Sequence, residues 1–230
     1  MSTRNFTRPI LYSLSILTLS AVLASNILRS SSSMATGAIP NPATDIPKAT
    51  AKGEQVVVLA GGCFWGMEAV FEHLNGVSNV VSGFSGDSAT TANYSRVSTG
   101  QTKHAEAVQI TYDPSQITYG QLLKVYFSVA HDPTAVNRQG PDEGPQYRSA
   151  IFFANDRQKQ VAQAYIQQLD RAKSFNKPIA TQLVPLDKFY AAESYHQNFI
   201  TRNPKYPYVV IHDLPKIKQL QKLFPTIYKN

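Results

Sequence analysis

Cysteine is almost missing from this chain. A single one, Cys63, occurs among 230 residues. That excludes an intramolecular disulfide, a C-x-x-C redox pair and a cysteine-rich zinc module. Tryptophan is equally scarce, with Trp65 alone. Charged residues make up only 16% against 43% hydrophobic ones, and no long low-complexity run occurs, so wholesale disorder is excluded. The length suits one domain, or one and a half. A basic core is lacking too, although the formal net charge is +7. Residues 1–53 hold Arg4, Arg8, Arg29, Lys48 and Lys52 against Asp45. Residues 202–230 hold Arg202, Lys205, Lys216, Lys218, Lys222 and Lys229 against Asp213. The middle, 54–201, is left with a net charge of −2. That distribution argues for no nucleic-acid partner.

The N-terminal charge has its own explanation. Arg4 and Arg8 precede an uncharged, Leu/Ile/Val-rich stretch from Pro9 to Leu28, and Val22 and Ala24 supply small residues for a cut after Ala24. Residues 1–24 therefore read as an export signal, delivering the protein to a periplasm or comparable lumen. The alternative is an uncleaved membrane anchor, because the run is just long enough to span a bilayer. Several serines and a threonine dilute it. Residues 25–53, rich in Ser, Ala, Thr and Pro, read as a flexible linker. Exported proteins usually use cysteines in pairs. A lone one is either an inert buried thiol or a reactive one.

Residues 54–204 carry the periodicities of a mixed fold. Gln55 to Ala60 is an apolar, β-branched run that reads as a buried strand. After Gly61-Gly62, the residues Met67, Val70, Phe71 and Leu74 mark one face of a helix. Val77 to Phe84 reads as a second strand. Ala105 to Tyr112 alternates, with Val108, Ile110 and Tyr112 on one face. Leu122, Leu123, Tyr126 and Phe127 mark a second helix, Tyr147 to Phe153 a further strand, and Val161 to Leu169 a third helix capped by Asn155 or Asp156. A weaker strand at Thr181 to Leu186 and a short helix around Lys188 to Phe199 follow. Residues 205–230 form a long, Pro-rich, irregular C-terminal extension with one helix at Lys216 to Phe224. The order β-α-β-β-α-β, followed by additional α and β elements, is that of an α+β, ferredoxin-like split βαβ core. Two connections, Ser85 to His104 and His131 to Gln146, are too long for simple turns and are expected to be functional.

Cys63 follows a buried strand and two glycines and opens a helix. Free N–H groups and the positive end of the helix dipole favour an anion there, which lowers a thiol pKa and makes a nucleophile. The competing reading is a structural thiol. Glu106 shares the parity of Val108, Ile110 and Tyr112. A core-facing carboxyl has its pKa raised by desolvation and can act as a general acid near neutral pH. The competing reading is a strand-end glutamate reaching solvent. Phe64 and Trp65 beside the thiol make either ordinary core or a small apolar pocket. Tyr94 lies in the first long loop, and Tyr147 closes the second after Gly140-Pro141-Asp142-Glu143-Gly144-Pro145.

Gly62-Cys63-Phe64-Trp65-Gly66, followed by Glu68, resembles the signature of the peptide methionine sulfoxide reductase A family. Asn93-Tyr94, His104-Ala105-Glu106, Tyr112-Asp113-Pro114, His131-Asp132-Pro133, Arg138-Gln139-Gly140 with Asp142, Gln146-Tyr147-Arg148-Ser149 and Tyr195-His196-Gln197 continue the pattern in order. The resemblance covers roughly residues 54–204. It implies that Cys63 attacks the sulfoxide sulfur and becomes a sulfenic acid. It further implies that Glu106 protonates the sulfoxide oxygen with help from Tyr94 and Tyr147. Phe64 and Trp65 would hold the substrate methyl group, and Asp142 would act through water or the substrate backbone. The implied substrates are the S epimer in oxidised peptides and proteins, and free methionine sulfoxide. No metal or organic cofactor is implied, and the enzyme would work as a monomer.

The chain departs from the family pattern in its tail, where Asn203-Pro204-Lys205-Tyr206-Pro207-Tyr208 is followed by no cysteine. Many relatives carry resolving cysteines there. A one-cysteine form needs an external thiol: a thioredoxin-like protein, glutaredoxin with glutathione, or a dithiol. Ser98 stands where many relatives have cysteine, and Lys103 replaces a glycine and is expected to face solvent. Two rival readings compete. One is a Cys–His hydrolase using His104, His131 or His196 with Asn198; the other is an exported binding module with an inert thiol.

Overall fold

The computed structural model describes residues 38–230. The export signal expected at 1–24 and the first part of the expected linker lie outside them. Among the described residues no helix is long and apolar enough to cross a membrane.

The chain builds a mixed α+β fold on a six-stranded sheet. The elements of its first half are β1 (Gln55–Ala60), α1 (Phe64–Glu72), β2 (Val77–Ser85), the short α2 (Tyr94–Val97), β3 (Ala105–Tyr112) and α3 (Tyr119–Val125). A two-stranded hairpin follows, β4 (Arg138–Gln139) with β5 (Asp142–Glu143). Then come β6 (Ala150–Phe153), α4 (Asp156–Arg171), β7 (Gln182–Pro185), β8 (Phe189–Ala191), α5 (Phe199–Arg202) and α6 (Leu214–Leu223). The sheet order is β7-β6-β1-β3-β2-β8. β1 lies antiparallel to both β3 and β6, and β3 antiparallel to β2. Only the β6–β7 pair is parallel.

β1 is a continuous apolar run because both of its faces are covered. Val57 and Leu59 join the main core, while Val58 and Ala60 pack with Ala105, Ala107, Ala150 and Phe152 on the opposite face. The α1 stripe behaves as its spacing requires: Met67, Val70, Phe71 and Leu74 are fully buried, each worth about 1.5–3 kcal/mol of burial. α3 starts in a capping box, in which Thr118 and Gln121 each satisfy the other's backbone N–H, and Asn155 caps α4.

Three expectations are corrected. The helix expected around Lys188 to Phe199 is instead the edge strand β8, followed by turns and the short α5. Phe189-Tyr190 favours extended backbone, and the open edge of β2 offers hydrogen-bonding groups that outweigh the local helical preference. The segment 38–53, expected as part of a flexible linker, has no regular structure but is fastened to the domain. Ile39 is buried, Tyr165 donates to the Pro40 carbonyl at 2.7 Å, and Gln168 Nε2 donates to the Asn41 carbonyl at 2.8 Å. In the C-terminal extension the helix expected at Lys216 to Phe224 is present as α6, and part of the stretch before it, expected as irregular, is helical too. A π-helical turn at Val209–Asp213 runs into α6, because Val209 and Leu220 have apolar partners to bury against.

Candidate active site

Cys63 follows the end of β1. Gly62, at φ +89°, turns the chain through a conformation that glycine adopts without strain, and α1 begins at the next residue after the thiol. β3 carries Glu106 on the same face as Val108, Ile110 and Tyr112, and the carboxyl is 2% exposed. The Phe64 backbone N–H donates to Glu106 Oε2 at 3.1 Å. One of the free amides at the start of α1 is thus spent on the carboxyl and ties it beside the thiol.

The two long connections deliver the rest. In the first, Asn93 caps α2 through the Arg96 N–H, and Glu193 accepts from the Tyr94 N–H at 3.0 Å. In the second, the β4–β5 hairpin carries Asp142, and Tyr147 closes the turn that follows. Arg148 clamps that turn to the strand entry by donating to the carbonyls of His104 (3.1 Å), Pro145 (2.9 Å) and Lys103 (2.8 Å). Lys103 itself is exposed.

Cys63, Phe64, Trp65, Tyr94, Glu106, Asp142 and Tyr147 meet around one pocket of about 190 Å³. All seven candidates from the sequence are therefore brought together. Tyr206 and Tyr208 complete the wall from the C-terminal extension. Sequence reasoning missed this pair; the signal available was two tyrosines beside Pro207 in an otherwise basic tail. The Tyr208 hydroxyl donates to Asp142 Oδ2, so the tail is bonded to the hairpin across the pocket. Trp65 is fixed on two sides. Its Nε1–H donates to His196 Nδ1 at 3.1 Å, and its ring stacks on Phe199 at 3.7 Å between centroids.

The electrostatics revise one expectation and agree with another. Burial pushes Glu106 up to about 8, against the bond from Phe64, with the Asp142 charge adding to the rise. It is therefore a carboxylic acid at neutral pH, as the strand parity predicts. The helix terminus, however, does not lower the thiol. Burial raises Cys63 well above its ordinary value, and the Glu106 and Asp213 carboxyls add to the rise. The Trp65 backbone amide and the Lys216 ammonium pull the other way and weigh less. The thiol is 9% exposed, and desolvation outweighs the dipole. Tyr94 is pushed up to about 12 by burial and by neighbouring acidic groups, and Tyr147 and Tyr208 are raised as well. All three hydroxyls remain donors.

The histidines serve other partners. His131 Nε2 meets Ser149 Oγ at 2.7 Å and its Nδ1 meets the Tyr126 carbonyl oxygen at 3.1 Å. Burial pushes it down to about 3, so it stays neutral. His104 Nε2 meets the Ser88 carbonyl, and His196 holds Trp65. None is bonded to Cys63 in the way a Cys–His hydrolase requires. Among the described residues no group of three or more His, Cys, Asp or Glu side chains is arranged to hold a metal ion.

The family model described as peptide methionine sulfoxide reductase matches residues 55–227. The chain belongs to the peptide methionine sulfoxide reductase family. It is an oxidoreductase of the one-cysteine form. It is 55% identical over 188 residues to peptide methionine sulfoxide reductase MsrA 2 of Synechocystis sp., covering 81% of this chain and 88% of that one. With MsrA 2 of Mesorhizobium japonicum it shares 58% over 178 residues, 77% of this chain and 91% of the relative. Among solved structures, the reduced form of Mxr1 from Saccharomyces cerevisiae superposes with a TM-score of 0.61 at 35% identity. That match covers 70% of this chain and 91% of that one. Methionine sulfoxide reductase A of Corynebacterium diphtheriae gives 0.59 at 31% identity, over 79% and 93%.

Proposed function

We propose that this reductase returns the S epimer of methionine sulfoxide, in peptides, proteins and the free amino acid, to methionine by way of a Cys63 sulfenic acid. One observation carries the reading: a protonated carboxyl, Glu106, and a neutral thiol, Cys63, share a pocket lined by aromatic rings. Phe64 and Trp65 take the sulfoxide methyl group, and Tyr94, Tyr147 and Glu106 donate hydrogen bonds to its oxygen. The sulfur of Cys63 attacks the substrate sulfur as Glu106 gives its proton to the oxygen and takes up the thiol proton. The S–S bond so formed and the substrate S–O bond then break as the hydroxyl passes to the Cys63 sulfur. Methionine leaves, and the thiol has become a sulfenic acid, the first rung of cysteine oxidation. Asp142, held by Tyr208, orients the substrate backbone through water.

An external thiol completes the cycle. One thiol forms a mixed disulfide with Cys63 and releases water; a second thiol restores Cys63. A thioredoxin-like protein, glutaredoxin with glutathione, or a small dithiol has this chemistry. The working unit proposed is the monomer. The N-terminal pattern supports export with cleavage near Ala24. The strand order β6-β1-β3-β2, with helices after β1 and β3, supports a ferredoxin-like split βαβ reading of the core.

The test is an assay with dithiothreitol on separated diastereomers. The S form is expected to be consumed and the R form left, and Cys63→Ser is expected to abolish turnover. Full activity in the serine variant would remove Cys63 from the mechanism. A dimedone adduct trapped on Cys63 after sulfoxide addition would mark the sulfenic acid.

A further inference from the structure

Gly66 is the third residue of α1, directly after Trp65 of the aromatic wall and three residues from the thiol. A Cβ built there would overlap Asp213 Oδ1 and lie 2.7 Å from Lys216 Nζ. Asp213, from the C-terminal extension, is fully buried. Its Oδ1 pairs with Lys216 Nζ at 3.3 Å, one helical turn further on, and its Oδ2 is buried without a hydrogen-bond partner. A buried carboxylate left half-satisfied is costly. A glycine at position 66 leaves room for the pair against the nucleophile's helix.

We propose that Asp213 and Lys216, seated on Gly66, form a positioning pair that locks the C-terminal extension over the pocket and sets the charge beneath Cys63. The same segment carries Tyr206 and Tyr208, so docking the pair also places two walls of the pocket. The titratable groups around Cys63 are Glu106 of β3, Tyr94 of α2, Asp142 of β5, Tyr147 of the second long connection, and Tyr206, Tyr208, Asp213 and Lys216 of the extension. Of these, Asp213 disfavours the thiolate and Lys216 favours it. In a chain with no second cysteine, the tail acts on the nucleophile through charge.

The proposal rests on Cys63 being the nucleophile, and its test needs no sulfoxide. Alkylation of Cys63 in the full chain by iodoacetamide is followed by mass spectrometry across pH. Asp213→Asn is expected to move the half-point to lower pH by about one unit, and Lys216→Gln to move it upward. In a Gly66→Ala background, where the pair is pushed off the helix, the effect of Asp213→Asn is expected to fall by at least about half. A merely structural role would lower the melting temperature and leave the alkylation profile in place. An unchanged profile in Asp213→Asn overturns the proposal, and an equal shift in both backgrounds overturns the seating on Gly66. If Asp213→Asn does not fold, Lys216→Gln carries the same readout. Loss of sulfoxide reduction with a normal alkylation shift would strike the proposed function and leave this inference standing.

Discussion

At the scale of single residues, the site depends on which group holds a proton. Glu106 titrates at about 8, so its acid form dominates at neutral pH and disappears above it. Single-turnover reduction, measured with Cys63 and no added thiol, is expected to be level up to about pH 8 and to fall beyond. Glu106→Gln is expected to remove that falling limb and to cost roughly 10²–10⁴ in rate. A rate that climbs through pH 8 would instead make a solvent-formed thiolate the reacting species and take the general-acid role from Glu106. A second buried carboxyl offers a control. Glu68 accepts from the Asn198 N–H at 3.1 Å while its Oε1 has no partner, and burial raises it to about 7. A raised carboxyl pKa means the folded state holds the proton more tightly than the unfolded one. Its contribution to stability is therefore present below about pH 4.5 and lost as pH rises through about 7. Glu68→Gln does not titrate, so chemical denaturation should find it about 1–2 kcal/mol more stable relative to wild type at pH 8.5 than at pH 4.5. Equal differences at both pH values would count against a buried, ionising Glu68.

Among the elements, the strap at 38–53 and the C-terminal extension behave alike: each lacks a clear sequence period and each is fastened by particular side chains. Asp45 accepts from Thr118 Oγ1 at 2.5 Å and from the Gly120 N–H at 2.7 Å, adding a second acceptor at the start of α3. Asp45→Ala is expected to cost about 1–2 kcal/mol, read as a lower urea midpoint with unchanged m-value. No change would mean the strap rests on α3 without supporting it. These segments also show where a sequence stops being legible. β1, α1, β3 and α4 announce themselves because their apolar spacing matches the faces they bury. Glu106 could be placed because β3 alternates. β8 could not, since its pairing is decided by the distant edge of β2. Nor could the roles of Tyr206, Tyr208 and Asp213, which are set by distant parts of the chain: Tyr208 meets Asp142 and Asp213 sits against Gly66. The thiol was misjudged for a related reason. The helix dipole is local and visible in the sequence, whereas the desolvation that outweighs it is a property of the assembled pocket.

For the whole molecule, a single cysteine sets the stoichiometry. On the proposed mechanism, one chain without added thiol accepts one oxygen atom and then stops. Mixing the purified, reduced protein with excess methionine sulfoxide should yield one methionine per chain, and dithiothreitol should restore turnover. More than one methionine per chain in the absence of thiol would point to a second acceptor. The tail supplies tyrosines and an ion pair and no second cysteine, so on the proposed mechanism recycling passes to another molecule that must reach a thiol only 9% exposed.

That concealment has a consequence for selectivity between oxidants. Peroxide reacts with thiolates and far less with neutral thiols. A sulfur kept protonated behind aromatic walls is thus a poor target for the agent that creates methionine sulfoxide in the first place. On the proposed mechanism the sulfoxide presents its oxygen to the acid of Glu106, and the thiol proton leaves within the same pocket. On the proposed mechanism the enzyme remains reduced in the surroundings that oxidise methionine, and gives its electrons to the sulfoxide.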